Sequence, residues 1–496
     1  MKSDTAPKPQ RAPAARDVGP CLCVLYGGTG DLSRRKVLPA LFRLHAQGAA
    51  ENCYVLACSK GGELSDDSYR EIAVEALANA GIARTEAGRW AEARLFYHGA
   101  RGSEPEDFRT LAARVAEIEG RHQLPGNRVF YLALPPAAFG PTAAGLAAAG
   151  LAHGAGWARI VIEKPFGRDL ASARELNATL HHGWKEPQIY RIDHYLGKET
   201  VQNLLVFRFA NAMFESVWNR EHVARVEITV AEELGVERRA AYYEQAGALR
   251  DIVQNHLTQL LSLVAMEAPV TIAADAIRAE KVKALRSIRA IDPAHVVWGQ
   301  YDAGRLDGKH VPAYRAETGV AKNSNTETFV AIRVDVDSWR WQGVPFVLRA
   351  GKRMPSRMTE IALTFREPPV SLFGRFDACR PRSDSLVIRL QPDEGFALYF
   401  EVKKPGSEFS LARQPLHFMY SEAFGPLPEA YETLLLDIFE GDQTLFVHAD
   451  EVEESWRLYT PLLDAPRKVE LYPAGSSGPT SADRLRVDGT PSWQRA

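Results

Sequence analysis

The stretch CLCVLYGGTGDLSRRK, residues 21–36, joins an apolar, strand-like run to a glycine-rich turn and a helix-like segment. Gly27, Gly28 and Gly30 permit a tight turn and let a phosphate approach the amides at the start of the following helix. Ser33 stands where a strict GxGxxG motif has its third glycine, and the absence of a Gly-Lys-Ser/Thr triplet excludes a Walker A loop. The turn therefore predicts a dinucleotide site, and the alternative is a plain connection between strand and helix.

Further apolar runs follow before residue 195, roughly thirty to forty residues apart, with helix-like text between most of them. They are CYVLACS, RLFYH, RVFYLAL, RIVIE and QIYRI. This spacing is typical of repeated βα units and predicts a parallel sheet.

After residue 195 many of the apolar runs alternate with polar residues and are joined by short turns, which predicts an antiparallel sheet. The predicted strands are LLVFRFA, ARVEITVAE, TFVAIRVDV, PFVLRA, EIALTF, SLVIRLQ and FALYFEVKK. Helical patterns at 244–266, 272–290 and 429–440 are expected to cover one face of this sheet. The predicted fold class is α/β plus α+β, with an N-terminal Rossmann-like dinucleotide-binding domain and a C-terminal domain with a large, mainly antiparallel sheet covered by helices.

The predicted borders place a Rossmann-like domain at 20–195 and an α+β domain at 196–475, with a disordered tail at 1–19 and a loose tail at 476–496. The 60 Lys and Arg residues nearly balance 62 Asp and Glu residues, so no overall basic field favours nucleic acid or an anionic membrane. No apolar run approaches the length of about 18 residues that spans a bilayer. The five cysteines form no CxxC pair and no signal-peptide pattern is present, so the expected location is cytoplasmic.

The second predicted strand ends at Ser59 and Lys60, where NAD enzymes place an acidic residue against the ribose 2′-hydroxyl. A hydroxyl and a cation instead favour a 2′-phosphate, so NADP is the expected cofactor and NAD a weaker alternative. The strings YLALPP and EKPFG end the fourth and fifth strands at the same edge of the sheet. The expected cofactor-binding residues are Gly27, Gly28, Thr29, Gly30, Asp31, Leu32, Ser59, Lys60, Pro135 and Lys164.

The stretch RIDHYLGKE, residues 191–199, is dense in polar chemistry. If a helix begins here, His194 and Lys198 lie at i and i+4 on one face, where two donors can hold one anion. The alternative is a charged, solvated helix end. No metal site is expected, because an adjacent carboxylate and imidazole do not have a ligand spacing such as HExxH.

Eight strings in one order give the chain a family resemblance: GGTGDLSRRKVLPALF, FYLALPP, EKPFGRDL, RIDHYLGKE, RDIVQNHLTQLL, LRAGKRM, VIRLQPDEG and YPAGS. Over about residues 20–475 the chain resembles glucose-6-phosphate dehydrogenase. The resemblance implies oxidation of D-glucose 6-phosphate at C1 to 6-phospho-D-glucono-1,5-lactone with hydride transfer to NADP, the first step of the oxidative pentose phosphate pathway. It also implies that the α+β domain binds substrate and forms a homodimer or homotetramer.

The resemblance also assigns roles to individual residues. It implies that His256 is the general base and that Asp193 orients it. The implied substrate-binding residues are Lys164, His194, Tyr195, Lys198, Glu232, Asp251, Lys352 and Arg357. Among these, His194 and Lys198 bind the sugar phosphate with help from Tyr195, and Glu232 and Asp251 hold sugar hydroxyls. Lys60 departs from the arginine usual in the family, which weakens the expected preference for NADP.

A helix over 247–264 would place His256 on an apolar stripe that points inward. Asp251, five residues earlier, would lie well around an α-helix from His256, so the orienting carboxylate would come from another segment, for which Asp193 qualifies. The alternative interpretation of His256 is a buried core histidine with a purely structural role. At the level of function, two alternatives stay open: a dehydrogenase of another sugar phosphate, or a catalytically silent dinucleotide-binding sensor.

Overall fold

The computed structural model describes residues 18–60, 64–99, 104–370, 372, 382–406, 410–425 and 427–485, so most of the predicted N-terminal tail and the last part of the C-terminal tail lie outside the described residues. The chain divides into two compact units. The first unit comprises the chain up to Lys164, Glu175–His194 and Pro428–Val447, and the second comprises Pro165–Arg174, Tyr195–Leu427 and the chain from His448. Among the described residues, no helix combines the length and the apolar character that crossing a membrane requires.

The strands of the described residues are numbered in chain order. They are β1 Cys21–Tyr26, β2 Cys53–Ser59, β3 Leu95–Gly99, β4 Arg128–Leu132, β5 Ala158–Glu163, β6 Ile189–Ile192, β7 Val223–Ala231, β8 Val296–Asp302, β9 Gly304–Leu306, β10 Lys309–Val311, β11 Phe329–Asp335, β12 Pro345–Gly351, β13 Met358–Phe365, β14 Ser385–Gln391, β15 Gly395–Lys403, β16 Leu411–Met419, β17 Phe446–Val447 and β18 Val469–Pro473.

The α-helices of the described residues are α1 Leu38–Ala46, α2 Asp66–Asn79, α3 Arg84–Arg94, α4 Pro105–His122, α5 Phe139–Ala148, α6 Leu170–Gly183, α7 Glu199–Phe209, α8 Ala212–Glu215, α9 Ala240–Ala248, α10 Thr258–Ala265, α11 Ala274–Arg286, α12 Tyr420–Phe424, α13 Ala430–Glu440 and α14 Ala449–Asp464. Two π-helical segments, Ser33–Val37 and Leu249–Leu257, run directly into α1 and α10.

The first unit contains a seven-stranded sheet in the order β17-β6-β5-β4-β1-β2-β3. β1 to β6 are parallel, and β17 adds to β6 antiparallel. Every residue of β1 is buried, as expected for a parallel strand that is covered on both faces. The chain order reverses at the neighbours β1 and β4, the place where an α/β sheet of this kind binds ligands at its carboxyl edge. The predicted Rossmann-like sheet is confirmed.

The second unit contains a nine-stranded sheet in the order β16-β15-β14-β13-β7-β12-β11-β8-β18. Most neighbours are antiparallel, whereas β12 pairs with β7, and β18 with β8, in parallel. Burial alternates along much of β13 and β14, the pattern of strands with one face towards a core. The predicted large, mainly antiparallel sheet is confirmed.

One predicted strand was wrong, and several strands were not predicted. LLVFRFA is not a strand but belongs to α7, whose buried residues include Leu204, Phe207 and Arg208 at helical spacing. Arg208 is completely buried and donates to the carbonyls of Leu263 and Met266, contacts that local composition does not encode. The text around β8, β16 and β18 was not predicted as strand.

The compact units also depart from the predicted contiguous borders. Residues Pro428–Val447 belong to the first unit, because β17 pairs with β6 there. Part of the predicted loose tail is ordered, since Thr480–Leu485 forms a 3₁₀ helix whose Ala482 and Leu485 join a hydrophobic core cluster of the second unit.

Candidate active site

The glycine turn of the first unit closes directly after β1. Gly27 has a φ of +75°, and a Cβ on it would lie 2.1 Å from the carbonyl oxygen of Ala133. A Cβ on Gly28 would lie 2.7 Å from the Cβ of Ala57. Side chains at these two positions would therefore collide with neighbouring strand ends, so the turn requires glycine.

The helix that follows this turn begins with a small hydrogen-bond network around Gly27. Gly30 N–H and Ser33 Oγ–H both donate to the carbonyl of Gly27, at 2.8 Å each. The Arg34 amide donates to the carbonyl of Gly30 at 3.0 Å. The amides of residues 31–33 come before Arg34 in the chain and therefore belong to the first turn of the helix. Amides with this position and dipole fit the pyrophosphate of a dinucleotide. Asp31 lies on the same turn, exposed and paired with Arg35 at 2.8 Å.

The carboxyl end of β2 carries Ser59 and Lys60. Ser59 is buried, and its hydroxyl shares a hydrogen bond of 2.7 Å with the hydroxyl of Tyr97. Lys60 is exposed. The lysine therefore offers an accessible positive charge at this strand end, while the serine hydroxyl already has a protein partner.

Other predicted residues follow neighbouring parallel strands of the first unit. Pro135 is exposed shortly after β4, Lys164 follows β5, and Asp193 follows β6, with His194 next to it. Because these strands are parallel, their carboxyl ends lie at one edge of the sheet. The first unit thus brings together the glycine turn and these four residues along one edge.

Glu163, the last residue of β5, is a buried carboxyl that the sequence analysis missed. It accepts hydrogen bonds from the hydroxyls of Tyr131 at 2.6 Å and Tyr431 at 3.2 Å. Burial raises the pKa of Glu163 to about 7; the two tyrosines and Lys164 oppose this rise, and Asp193 adds to it. The charges of two predicted site residues, Lys164 and Asp193, therefore affect the pKa of this carboxyl. Its signal in the sequence was only a single acidic residue at the end of an apolar strand, directly before Lys164.

In the second unit, His256 lies in the π-helical segment Leu249–Leu257, which packs against β7 and β12. The histidine is 1% exposed. The predicted apolar stripe does not distinguish its face, because nearly every residue of this segment and of α10 is buried. The prediction that Asp251 lies well around the helix from His256 assumed an α-helix, and that assumption was wrong. Hydrogen bonds in a π-helix run between residues five apart, so positions 251 and 256 follow each other along one side.

Tyr195 connects His256 to a polar cluster within the second unit. Its ring stacks on the imidazole with a centroid distance of 4.1 Å and an interplanar angle of 23°. The amide of Gln391 donates to the hydroxyl of Tyr195 at 3.3 Å, and Arg357 donates to the Oε1 of Gln391 at 2.7 Å. Gln391 belongs to the string VIRLQPDEG, for which the sequence predicted no individual role.

Two cations lie at this cluster. Burial lowers the pKa of Lys198, Glu394 opposes this effect, and the positive charge of Arg357 lowers the pKa further. Lys198 Nζ also donates to the carbonyl of Leu390 at 3.3 Å. Two neighbouring positive groups with amide and phenol donors nearby suit a multiply charged anion. The predicted helical i, i+4 pair was wrong, because α7 begins only at Glu199 and Lys198 has an extended backbone.

A second polar group forms where the parallel strands β7 and β12 end. Ala231 is in register with Gly351, so the next residues, Glu232 and Lys352, meet in an ion pair of 2.7 Å. Asp251 accepts a hydrogen bond of 3.2 Å from the hydroxyl of Tyr242. Acceptors and a donor of this kind suit the hydroxyl groups of a sugar.

Comparison with known proteins decides the family. The family model described as "Glucose-6-phosphate dehydrogenase, NAD binding domain" matches residues 24–203, and that described as "Glucose-6-phosphate dehydrogenase, C-terminal domain" matches residues 205–494. The chain belongs to the glucose-6-phosphate dehydrogenase family. The resemblance read from the eight strings and the predicted fold class are thereby confirmed.

Relatives in this family match nearly the whole chain. The glucose-6-phosphate 1-dehydrogenase of Rhizobium meliloti is 44% identical over 493 residues, which cover 95% of this chain and 97% of the relative. That of Bacillus subtilis is 41% identical over 483 residues, with coverage of 95% and 97%. A solved glucose-6-phosphate dehydrogenase in complex with its substrate glucose 6-phosphate superimposes with a TM-score of 0.88 at 34% identity, covering 97% of this chain and 100% of that one.

Proposed function

We propose that this chain oxidises D-glucose 6-phosphate at C1 to 6-phospho-D-glucono-1,5-lactone with NADP as the hydride acceptor. The observation that carries the proposal is the stack of Tyr195 on the buried His256, next to the cations of Lys198 and Arg357. A buried imidazole thereby lies in the same cluster as an anion site. Membership of the family and the relatives named for this activity support the same conclusion.

Lys198, Arg357 and Gln391 bind the sugar phosphate, because they supply two charges and an amide to a dianionic group. Glu232, Lys352 and Asp251 hold sugar hydroxyls and set the orientation of the ring. In the family, His194 also binds the phosphate, and Lys164 touches both sugar and nicotinamide.

The chemical step requires the C1 hydroxyl to lose a proton as C1 loses a hydride and the C=O bond of the lactone forms. A nitrogen of the neutral His256 imidazole accepts this proton, and the flat Tyr195 ring holds the imidazole plane. The dinucleotide, when bound, supplies the hydride acceptor. By family resemblance, Asp193 orients the imidazole and stabilises its protonated form.

The glycine turn and its helix start bind the pyrophosphate, and Lys60 pairs with the 2′-phosphate of NADP. An exposed ammonium gains much less from a 2′-hydroxyl than from a 2′-phosphate, so Lys60 favours NADP and contributes little to the binding of NAD. The chain is further proposed to assemble as a homodimer or homotetramer, which light scattering of the purified protein measures directly.

The test is a spectrophotometric assay of reduced nicotinamide with purified protein. Glucose 6-phosphate with NADP is expected to give turnover, and NAD a weaker signal. Glucosamine 6-phosphate, galactose 6-phosphate and free glucose serve as matched substrates. Absence of turnover with glucose 6-phosphate and either dinucleotide would overturn the proposal, and faster turnover of another sugar phosphate would reassign the substrate.

A further inference from the structure

A buried carboxylate, Glu327, lies at the N-terminal end of the π-helical segment that carries Asp251 and His256. It precedes β11 and is 2% exposed. Its main-chain carbonyl accepts a hydrogen bond of 3.0 Å from the amide of Ala248, and its side-chain Oε1 accepts one of 3.3 Å from the amide of Leu249. One residue from a distant part of the sequence therefore holds two consecutive amides where the segment begins.

Gly247 makes this approach possible. Its φ of 63° and ψ of 177° interrupt the helical backbone within α9, two residues before the π-helical segment begins. A Cβ built on Gly247 would lie 2.3 Å from Oε1 of Glu327. Both the backbone conformation and the space thus require glycine, and the carboxylate fills the space that a side chain would need.

The charge of Glu327 is compensated on its other oxygen. Arg467 Nη1 donates to Oε2 at 3.1 Å. Burial raises the pKa of Glu327, and Arg467 together with the backbone amides opposes that rise. A negative charge at a helix N-terminus is stabilised by the helix dipole, so the carboxylate acts as a cap supplied by another element.

We infer that Glu327 is a positioning residue for the reaction proposed above: it fixes where the π-helical segment starts and thereby the directions of Asp251 and His256. A π-helix offsets its side chains relative to an α-helix, so the starting point decides which residues share a side. The inference rests on the proposed function, but its structural part can be measured without activity.

The kinetic test compares Glu327→Ala and Glu327→Gln with wild type. Glu327→Ala removes both side-chain contacts, and a small displacement of the base is expected to lower kcat by about ten- to a hundredfold. The KM for NADP should stay within about threefold, because no cofactor-binding residue lies in this segment. Glu327→Gln keeps an acceptor for the Leu249 amide and should therefore keep most of the kcat that Glu327→Ala loses. Gly247→Ala, which pushes the carboxylate away, should resemble Glu327→Ala.

Glu119→Gln is the matched control. Glu119 is also a buried carboxylate with an arginine partner, forming two hydrogen bonds of 2.7 Å to Arg128 in the first unit, and it has no part in the proposed site. This variant is expected to lose thermal stability while kcat stays unchanged. If folded Glu327→Ala kept its kcat, or if kcat followed the melting temperature equally in the variants and the control, the positioning role would be wrong.

Hydrogen exchange separates this inference from the proposed function. Peptides that cover residues 248–257 should exchange faster in Glu327→Ala than in wild type, and no faster in Glu119→Gln. Unchanged exchange would refute the positioning role even in an active enzyme. Faster exchange in a protein without activity on glucose 6-phosphate would support the cap and reject the reaction.

Discussion

Replacing Glu163 by glutamine is expected to change how the stability of the protein depends on pH. The carboxyl is buried at the end of β5 and is hydrogen-bonded by Tyr131 and Tyr431. Glutamine has nearly the same shape, and its carbonyl oxygen still accepts from the tyrosines, but it carries no titrating proton.

The sign follows from the two ionisation equilibria. Burial raises the pKa of Glu163 from 4.5 to about 7, so between these values the unfolded chain releases the proton while the folded chain keeps it. The folded state then binds more protons, and the free energy of unfolding falls as the pH rises through this window. The full shift corresponds to about 3 kcal/mol, most of which falls between roughly pH 5 and pH 8.

Urea unfolding of wild type and Glu163→Gln across this pH range measures the effect. The unfolding free energy of the variant should rise relative to wild type by about 2–3 kcal/mol from pH 5 to pH 8, whatever the difference between the two proteins is at pH 5. In Tyr131→Phe, Glu163 loses a hydrogen bond that lowers its pKa, so its pKa should be higher than in wild type. The unfolding free energy of this variant should therefore go on falling to a higher pH than that of wild type. A difference between Glu163→Gln and wild type that does not vary with pH would refute the reasoning.

Three further predictions concern the proposed site. Lys60→Ala should raise the KM for NADP about ten- to a hundredfold, the value of a charged phosphate contact, with little change for NAD; equal changes would mean that Lys60 is only a loop residue. Lys198→Ala should raise the KM for glucose 6-phosphate by a similar factor without further impairing free glucose, and a proportional loss for both would exclude a phosphate contact. His256→Asn should lower kcat by about 10²–10⁴ in a folded protein, with both KM values nearly unchanged. Asp193→Asn should also lower kcat, and in the double variant the two effects should be less than additive. A folded His256→Asn enzyme with most of its kcat would reject the base.

Local pattern alone predicted the parallel strands of the first unit well. Strands β1 to β6 are buried runs of apolar and β-branched residues, and a strand buried on both faces shows this composition whatever its partners are. Gly27 and Gly28 were likewise predicted, since a tight turn after a strand leaves few other residues possible. The eight family strings added the activity, because they report ancestry as well as local structure.

Tertiary contacts decided the rest of the site. The pairing of Glu232 with Lys352 depends on the parallel register of β7 and β12, which are separated by more than a hundred residues in the chain. The link between Arg357 and Tyr195 runs through Gln391, from yet another strand. Such contacts follow from the choice among many possible strand registers, and that choice depends on burial across the whole sheet.

The π-helical segment shows the same division most clearly. The sequence by itself determined that a helix carries His256, because apolar residues recur there at helical spacing. It did not determine whether the backbone hydrogen bonds of this helix follow the α or the π pattern. In the folded protein the segment is π-helical, and Glu327 accepts a hydrogen bond from the Leu249 amide at its start. An α- and a π-helical turn satisfy the same backbone groups locally, so contacts with distant residues decide between them.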